Sequence, residues 1–199
     1  MKNTLSYLYS LTPIKTGQYG CIKSISFAID FISIAGDWAE FGVGNGVSTK
    51  SLIKHLPNND TELYLFDSFK GLPEDWKEFS NEHVKGTFAV ERIPSFDNPR
   101  VKLVVGWFHD TLPYFTTDKP FSFIHIDCDL YSSTTCIFKN INHLIVSGTT
   151  IVFDEYYNYG GDKWLNHEYK AFTEYVSGNK IKFEYLGRTD KYQVIVKIL

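Results

Sequence analysis

Little in this sequence invites a partner held by charge, a lipid bilayer or a disulfide. The 199-residue chain has a net charge of −3, with 20 lysines and arginines against 23 acids. Nucleic-acid phosphates need a basic surface, so no nucleic-acid partner is expected. The three cysteines, Cys21, Cys128 and Cys136, are an odd number with no CxxC pair. Neither a disulfide framework nor a four-ligand zinc site is expected of them. The opening "MKNTLSYLYSLTPIKTG" lacks the continuous apolar run of a signal peptide, and no segment approaches a membrane span. The expected setting is a reducing cytoplasm, away from the membrane. No repeat, low-complexity tract or linker divides the chain. One domain over 1–199 is expected, with an N-terminal helical segment (1–36) and a core (37–199).

What is present is an ordinary globular composition with many rings. Hydrophobic residues make up 43% and aromatics 17%, including 16 Phe and 13 Tyr. Most belong in a core, and the surplus tyrosines are available for a site or a homo-oligomer contact. After a helical stretch, "CIKSISFAIDFIS", apolar runs of strand length recur: "DWAEFGV" (37–43), "ELYLFDSF" (62–69), "VKLVVGWF" (101–108), "FSFIHIDCDL" (121–130) and "GTTIVFDEY" (148–156). Helix-like stretches follow most of them. Continuous rather than alternating runs suit strands buried on both faces, as in a parallel sheet. "KFEYLGRTDKYQVIVKI" reads as two more strands joined by a charged turn. The expected architecture is a doubly wound, mostly parallel seven-stranded α/β sheet ending in an antiparallel hairpin. Residues 70–100 read as mixed loop and short helix.

Chemistry-bearing residues cluster at the strand ends, where open parallel sheets bind ligands. The first strand runs into Glu40-Phe41-Gly42-Val43-Gly44-Asn45-Gly46, an ExGxGxG loop. The dinucleotide fingerprint GxGxxG fails in both registers, because the sixth residue is Val47 or Thr49. Glu40 suits a cationic ligand such as an amino group, and a structural turn with a solvated glutamate is the alternative. Asp67 closes the second strand, where a nucleotide fold holds ribose hydroxyls. Trp107 and Phe108 follow the third strand and would either sandwich a flat base or pack in the core. No GxxxxGK[ST] loop offers a phosphate cradle. Amino acid, ribose and base without phosphate together describe S-adenosylmethionine.

The segments "EFGVGNGVST", "LYLFDSFKGLP", "GWFHDTLP", "HIDCDLYSST" and "VFDEY" resemble the macrocin O-methyltransferase family, from about residue 39 to 175. The resemblance implies a Rossmann-like class I methyltransferase that moves a methyl group from S-adenosylmethionine to a deoxysugar hydroxyl with magnesium. Carried over, Asp127, Asp154 and Glu155 would hold the metal and Asp129 would be the general base. The acidic pair is usually Asp-Asp in that family and is Asp-Glu here. The implied cofactor set is Glu40, Gly42, Gly44, Gly46, Ser48, Asp67, Ser68, Trp107, Phe108 and Asp127.

Oxygen ligands alone would favour a hard cation, and acids gathered at adjacent strand ends would repel one another without one. Asp127 and Asp129, spaced i, i+2, would face opposite ways if the strand continued, which suits two roles. Helix capping is the alternative for Asp129, and a hydrogen-bonded structural role is expected of His125. His167 is a candidate for proton transfer or simply a helix N-terminal residue. Tyr156, Tyr157 and Trp164 are candidates for stacking on a sugar or for packing. The acceptor is expected to be a small molecule or glycan.

Overall fold

The computed structural model describes residues 2–17, 20–58, 60–76 and 83–199. Its seven strands form one sheet in the order β3-β2-β1-β4-β5-β7-β6. They are β1 (Asp37–Phe41), β2 (Leu63–Asp67), β3 (Val101–Val105), β4 (Phe121–Ile126), β5 (Ile145–Phe153), β6 (Phe183–Arg188) and β7 (Val194–Ile198). The first five are parallel, and β7 runs antiparallel between β5 and β6. The apolar runs account for this. All five residues of β1 and all six of β4 are buried, as two-sided cover of a central parallel strand requires.

Helices α1 (Leu5–Ser10), α2 (Gly20–Ile29), α3 (Val47–His55), α4 (Phe108–Thr111), α5 (Tyr131–Ile141) and α6 (Glu168–Gly178) complete the chain. One core cluster joins Ala39, Phe41, Phe66, Ile124, Ile126 and Phe153 to Ile137 and Phe138 of α5 and Phe172 of α6. The other joins Trp38, Leu63, Leu65, Phe123 and Val152 to Ile25 and Ala28 of α2 and Leu52 of α3. Odd and even strand residues thus feed opposite faces. The sheet order reverses direction between β1 and β4, which opens a crevice at their carboxyl ends. Among the described residues, no helix is long and apolar enough to cross a membrane.

Three expectations change, and one pair of alternatives is decided. The third apolar run does not make a doubly buried strand, because β3 is the sheet edge and leaves Leu103 37% and Val105 50% exposed. It also stops at Val105, and Phe108 begins α4. β4 ends at Ile126, and Asp129 turns the chain with φ +65°; the alternation that would separate Asp127 from Asp129 therefore does not operate. Of the two readings of Tyr156, Tyr157 and Trp164, packing holds, since they are core residues at 0%, 2% and 4% exposure. The Tyr156 hydroxyl meets that of Tyr185 at 2.9 Å, and the Tyr157 hydroxyl donates to the Thr189 carbonyl. Between β2 and β3 the described residues form neither helix nor strand, and residues 77–82 of that stretch lie outside the description.

Candidate active site

A cavity of about 1100 Å³ opens at the carboxyl ends of the parallel strands. Gly42, Gly44, Ser48, Asp67, Ser68, Trp107, Phe108, Asp127, Asp129, Asp154 and Glu155 all line it. Residues taken from five strand ends, up to 113 positions apart by number, share one wall.

The glycine loop is shaped by two different needs. Gly42 has φ +91°, and a Cβ there would run into the Asp127 carbonyl oxygen. Main-chain bonds fix that approach: the Asp127 amide donates to Phe41 at 2.9 Å and the Gly42 amide to Phe66 at 3.0 Å. Gly44 has φ +49° and nothing within 4 Å of where its Cβ would stand. Its open side is available to a ligand. Gly46, before α3, is not on the cavity wall, and its open position is closed by the Phe96 ring at 2.8 Å.

Asp67 lines the cavity but also ties the loop. One carboxylate oxygen accepts from the amides of Val43 and Gly44 at 2.8 and 2.9 Å, and the other from the Phe69 amide at 2.7 Å. Ser68 accepts from the Lys70 amide at 3.1 Å. Phe108 stands edge-on to Phe41 at 5.7 Å, so it packs against the core while it lines the cavity.

The structure places Glu40 away from the wall. Its side chain is fully buried, with Thr49 donating to Oε2 and His125 Nδ1 3.1 Å from Oε1. The i-to-j register explains the pairing, since Glu40 sits beside His125 across β1 and β4. Burial alone would lower the His125 pKa, but Cys21, Asp154 and Glu40 around it hold it well above its ordinary value.

The acids gather, though in a grouping different from the expected one. Asp127, Asp129 and Glu155 each bring a carboxylate oxygen within 4.8 Å of the others. Asp154 joins Cys21, His125 and Asp127 instead. Burial, then the charge of Asp154, pushes Asp127 and Glu155 well above the usual carboxylate range and Asp129 up to about 7. Glu155 Oε2 and Asp154 Oδ1 are buried without a hydrogen-bond partner. Such oxygens cost free energy unless a proton or a cation reaches them. An all-oxygen set with an orphaned buried acceptor therefore fits a hard divalent ion. Asp129 does not cap α5: the residue before the helix is Leu130, and no side-chain bond closes its N-terminus.

Two residues move between roles. His167 does not line the cavity; it is buried with its ring edge against Trp76, centroids 5.9 Å apart. Its neighbour Glu168, not singled out by the sequence, is fully buried and accepts from the Glu155 amide at 3.1 Å. Burial, then Asp129, raises Glu168 well above the usual range, and its Oε1 has no hydrogen-bond partner. Gln193 is the other omission. It donates to Asp154 Oδ2 at 3.3 Å from the position just before β7.

The description of the macrocin O-methyltransferase family (TylF) matches residues 21–182. A tetracenomycin-series enzyme from Streptomyces olivaceus, named as an 8-demethyl-8-(2,3-dimethoxy-alpha-L-rhamnosyl)-tetracenomycin-C 4'-O-methyltransferase, is 29% identical over 62% of this chain and 54% of its own. Demethyldecarbamoylnovobiocin O-methyltransferase from Streptomyces niveus is 25% identical over 70% of this chain and 60% of its own. The chain thus spans little more than half the length of these relatives. The crystal structure of a calicheamicin methyltransferase superposes with a TM-score of 0.71 at 19% identity, covering 88% of this chain and 77% of the other. That likeness establishes the shared fold.

Proposed function

The chain belongs to the macrocin O-methyltransferase family, and from that membership we propose that it is an S-adenosylmethionine-dependent O-methyltransferase. The acceptor is a hydroxyl of a sugar or glycosylated metabolite, and a divalent cation such as Mg²⁺ assists. When bound, S-adenosylmethionine supplies a carbon activated by its sulfonium, and the cation supplies an electrophile that acidifies the acceptor hydroxyl. The observation that carries the reading is the cavity wall on which Gly42 and Gly44 meet Asp127, Asp129 and Glu155.

The chain's own residues then have separate tasks. The backbone at Gly44 leaves room for the donor, with Asp67 holding the loop in place. Asp127 and Glu155 would hold the cation, and Asp154 shares Asp127 from its other side. Asp129, on the turn after β4 and beside Asp127 and Glu155, takes the proton of the acceptor hydroxyl as general base. Positioning supplies much of the remaining acceleration, because methyl transfer needs the nucleophile in line and close. We read residues 1–199 as one methyltransferase domain working in a reducing compartment, in keeping with three free cysteines.

The test is a screen of nucleotide sugars and glycosides with labelled S-adenosylmethionine, alongside calorimetry of donor binding. Donor binding with label transferred to a sugar hydroxyl, and lost on EDTA treatment, is expected. An absence of donor binding would overturn the assignment. Binding without transfer to any hydroxyl would point to a non-catalytic binding module. Transfer to a non-sugar acceptor, indifferent to EDTA, would remove both the sugar and the cation.

A further inference from the structure

We propose that Cys21, His125, Asp127 and Asp154 form a second cation site, built for a thiophilic divalent metal such as Zn²⁺ or Co²⁺. One donor atom from each lies within 4.8 Å of the other three. His125 Nε2 is 3.9 Å from Cys21 Sγ and 3.9 Å from Asp154 Oδ1. Metal–ligand bonds of about 2.0–2.3 Å at tetrahedral angles put neighbouring donors roughly 3.5 Å apart. The two pairs at His125 need to close by about 0.4 Å, and the remaining donors, all within 4.8 Å of one another, by at most about 1.3 Å.

Two further observations point to a ligand. The fully buried Glu40 carboxylate faces His125 Nδ1 at 3.1 Å. A carboxylate behind the far nitrogen fixes the imidazole tautomer and aims Nε2 at a metal. The second is Asp154, only 9% exposed. Gln193 holds its Oδ2, while its Oδ1 makes no hydrogen bond and its ion pair with His125 Nε2 is a long 3.9 Å. Thiol and imidazole donors select zinc or cobalt, whereas the neighbouring Asp127, Asp129 and Glu155 are oxygen only. On binding, the Cys21 thiol and His125 Nε2 each give a proton to solvent, so that Cys21 ligates as thiolate and His125 as neutral imidazole with Nδ1–H kept on Glu40.

The sequence argued against a four-ligand zinc site because its cysteines do not pair. This site uses one cysteine, from the first turn of α2, and a histidine 104 residues away on β4. Asp127 belongs to both cation sets, so the two sites compete for it. The proposal stands on these four side chains and not on methyl transfer.

The experiment uses the whole chain without donor. Co²⁺ is added and the thiolate-to-cobalt charge-transfer band is read in the near ultraviolet. In parallel, Zn²⁺ is added and alkylation of Cys21 by iodoacetamide is followed by peptide mass, with Cys136 as internal reference. A thiolate band in the wild type, its loss in Cys21→Ser and selective protection of Cys21 by Zn²⁺ are expected. Glu40→Gln should weaken Co²⁺ binding by roughly 10- to 100-fold, while Asp129→Asn keeps the band. A cobalt spectrum without a thiolate band, a band that survives Cys21→Ser, or Cys21 alkylation unchanged by saturating Zn²⁺ would each overturn the site. The zinc protection measurement needs no variant, so a Cys21→Ser chain that fails to fold leaves the test standing. If imidazolium alone bridges Glu40 and Asp154, no metal signal will be seen and the proposal fails.

Discussion

Gly42 and Gly44 are two positions apart and carry opposite demands. At Gly42 the limit is the protein itself, since a side chain would collide with the Asp127 carbonyl while φ is +91°. Backbone strain and overpacking each cost about 1–3 kcal/mol, so Gly42→Ala is expected to destabilise the fold by about 3–5 kcal/mol. Denaturant melts of the ligand-free chain measure this. At Gly44 a methyl group meets only open cavity, so Gly44→Ala should cost about 1–2 kcal/mol in left-handed strain. Its larger effect should be weaker donor binding by calorimetry. Comparable stability losses in the two variants would contradict the open side of Gly44, and unchanged donor affinity in Gly44→Ala would mean that the donor does not lie there. Asp129 separates chemistry from binding in the same way. Asp129→Asn should lower kcat by about 10²–10⁴-fold, the usual contribution of a general base, with donor affinity unchanged. Loss of donor affinity instead would move Asp129 out of the base role.

Elements decide which acids meet, and the meeting has a pH signature. Asp127 and Asp129 come from the end of β4, Glu155 from the end of β5 and Glu168 from the first residue of α6. In the metal-free fold all four carboxyl groups titrate above their ordinary values, first because of burial and then because of one another. The folded chain therefore holds protons that the unfolded chain has released. Stability from these groups is complete below the ordinary carboxylate values and is lost as pH rises through the folded ones. For Asp129 that window runs from 3.8 to about 7. The raised His125 acts in the same direction. The melting temperature of the metal-free protein should thus fall between about pH 5 and pH 8, and added Mg²⁺ should restore more of it at the upper end, where the carboxylates are ionised. A flat profile, or equal rescue at both ends, would contradict the cation set. Glu168→Gln keeps the acceptor for the Glu155 amide and removes one acid from the cluster, so it should make the fall shallower.

The parallel strands were legible because continuous apolar runs have one economical use, and the acids were legible because four of the five runs, all but the one ending in Trp107 and Phe108, carry acids toward their ends. The grouping was not. It depends on where β4 stops, and the turn at Asp129 carries no local signal that separates it from a continuing strand. His167 precedes α6 with a non-helical backbone, and Glu168 is the first residue of the helix. One packs on Trp76 and the other enters the cluster, a divergence that spacing alone did not fix. Cys21 is tied to the site only through a contact across 104 residues.

At the scale of the whole molecule, the proposed donor site draws on the ends of β1, β2, β3 and β4, so a ligand there would tie the sheet together. Any ligand that binds only the folded chain stabilises it by mass action, about 2.7 kcal/mol at a hundredfold excess over Kd. For a chain of this size each kcal/mol raises the melting temperature by about 2–4 °C. S-adenosylmethionine should therefore raise it by roughly 5–10 °C at that excess. S-adenosylhomocysteine should do likewise, because it keeps the amino acid and nucleoside and loses only the methyl group and, with it, the sulfonium charge. NAD should leave the transition in place, since Val47 and Thr49 stand where a dinucleotide loop needs its third glycine. These ligands test cofactor and fold separately. A shift with NAD and none with S-adenosylmethionine would leave the seven-stranded architecture untouched and overturn the methyl donor, because the crevice between β1 and β4 is common to both classes while the loop across it is not.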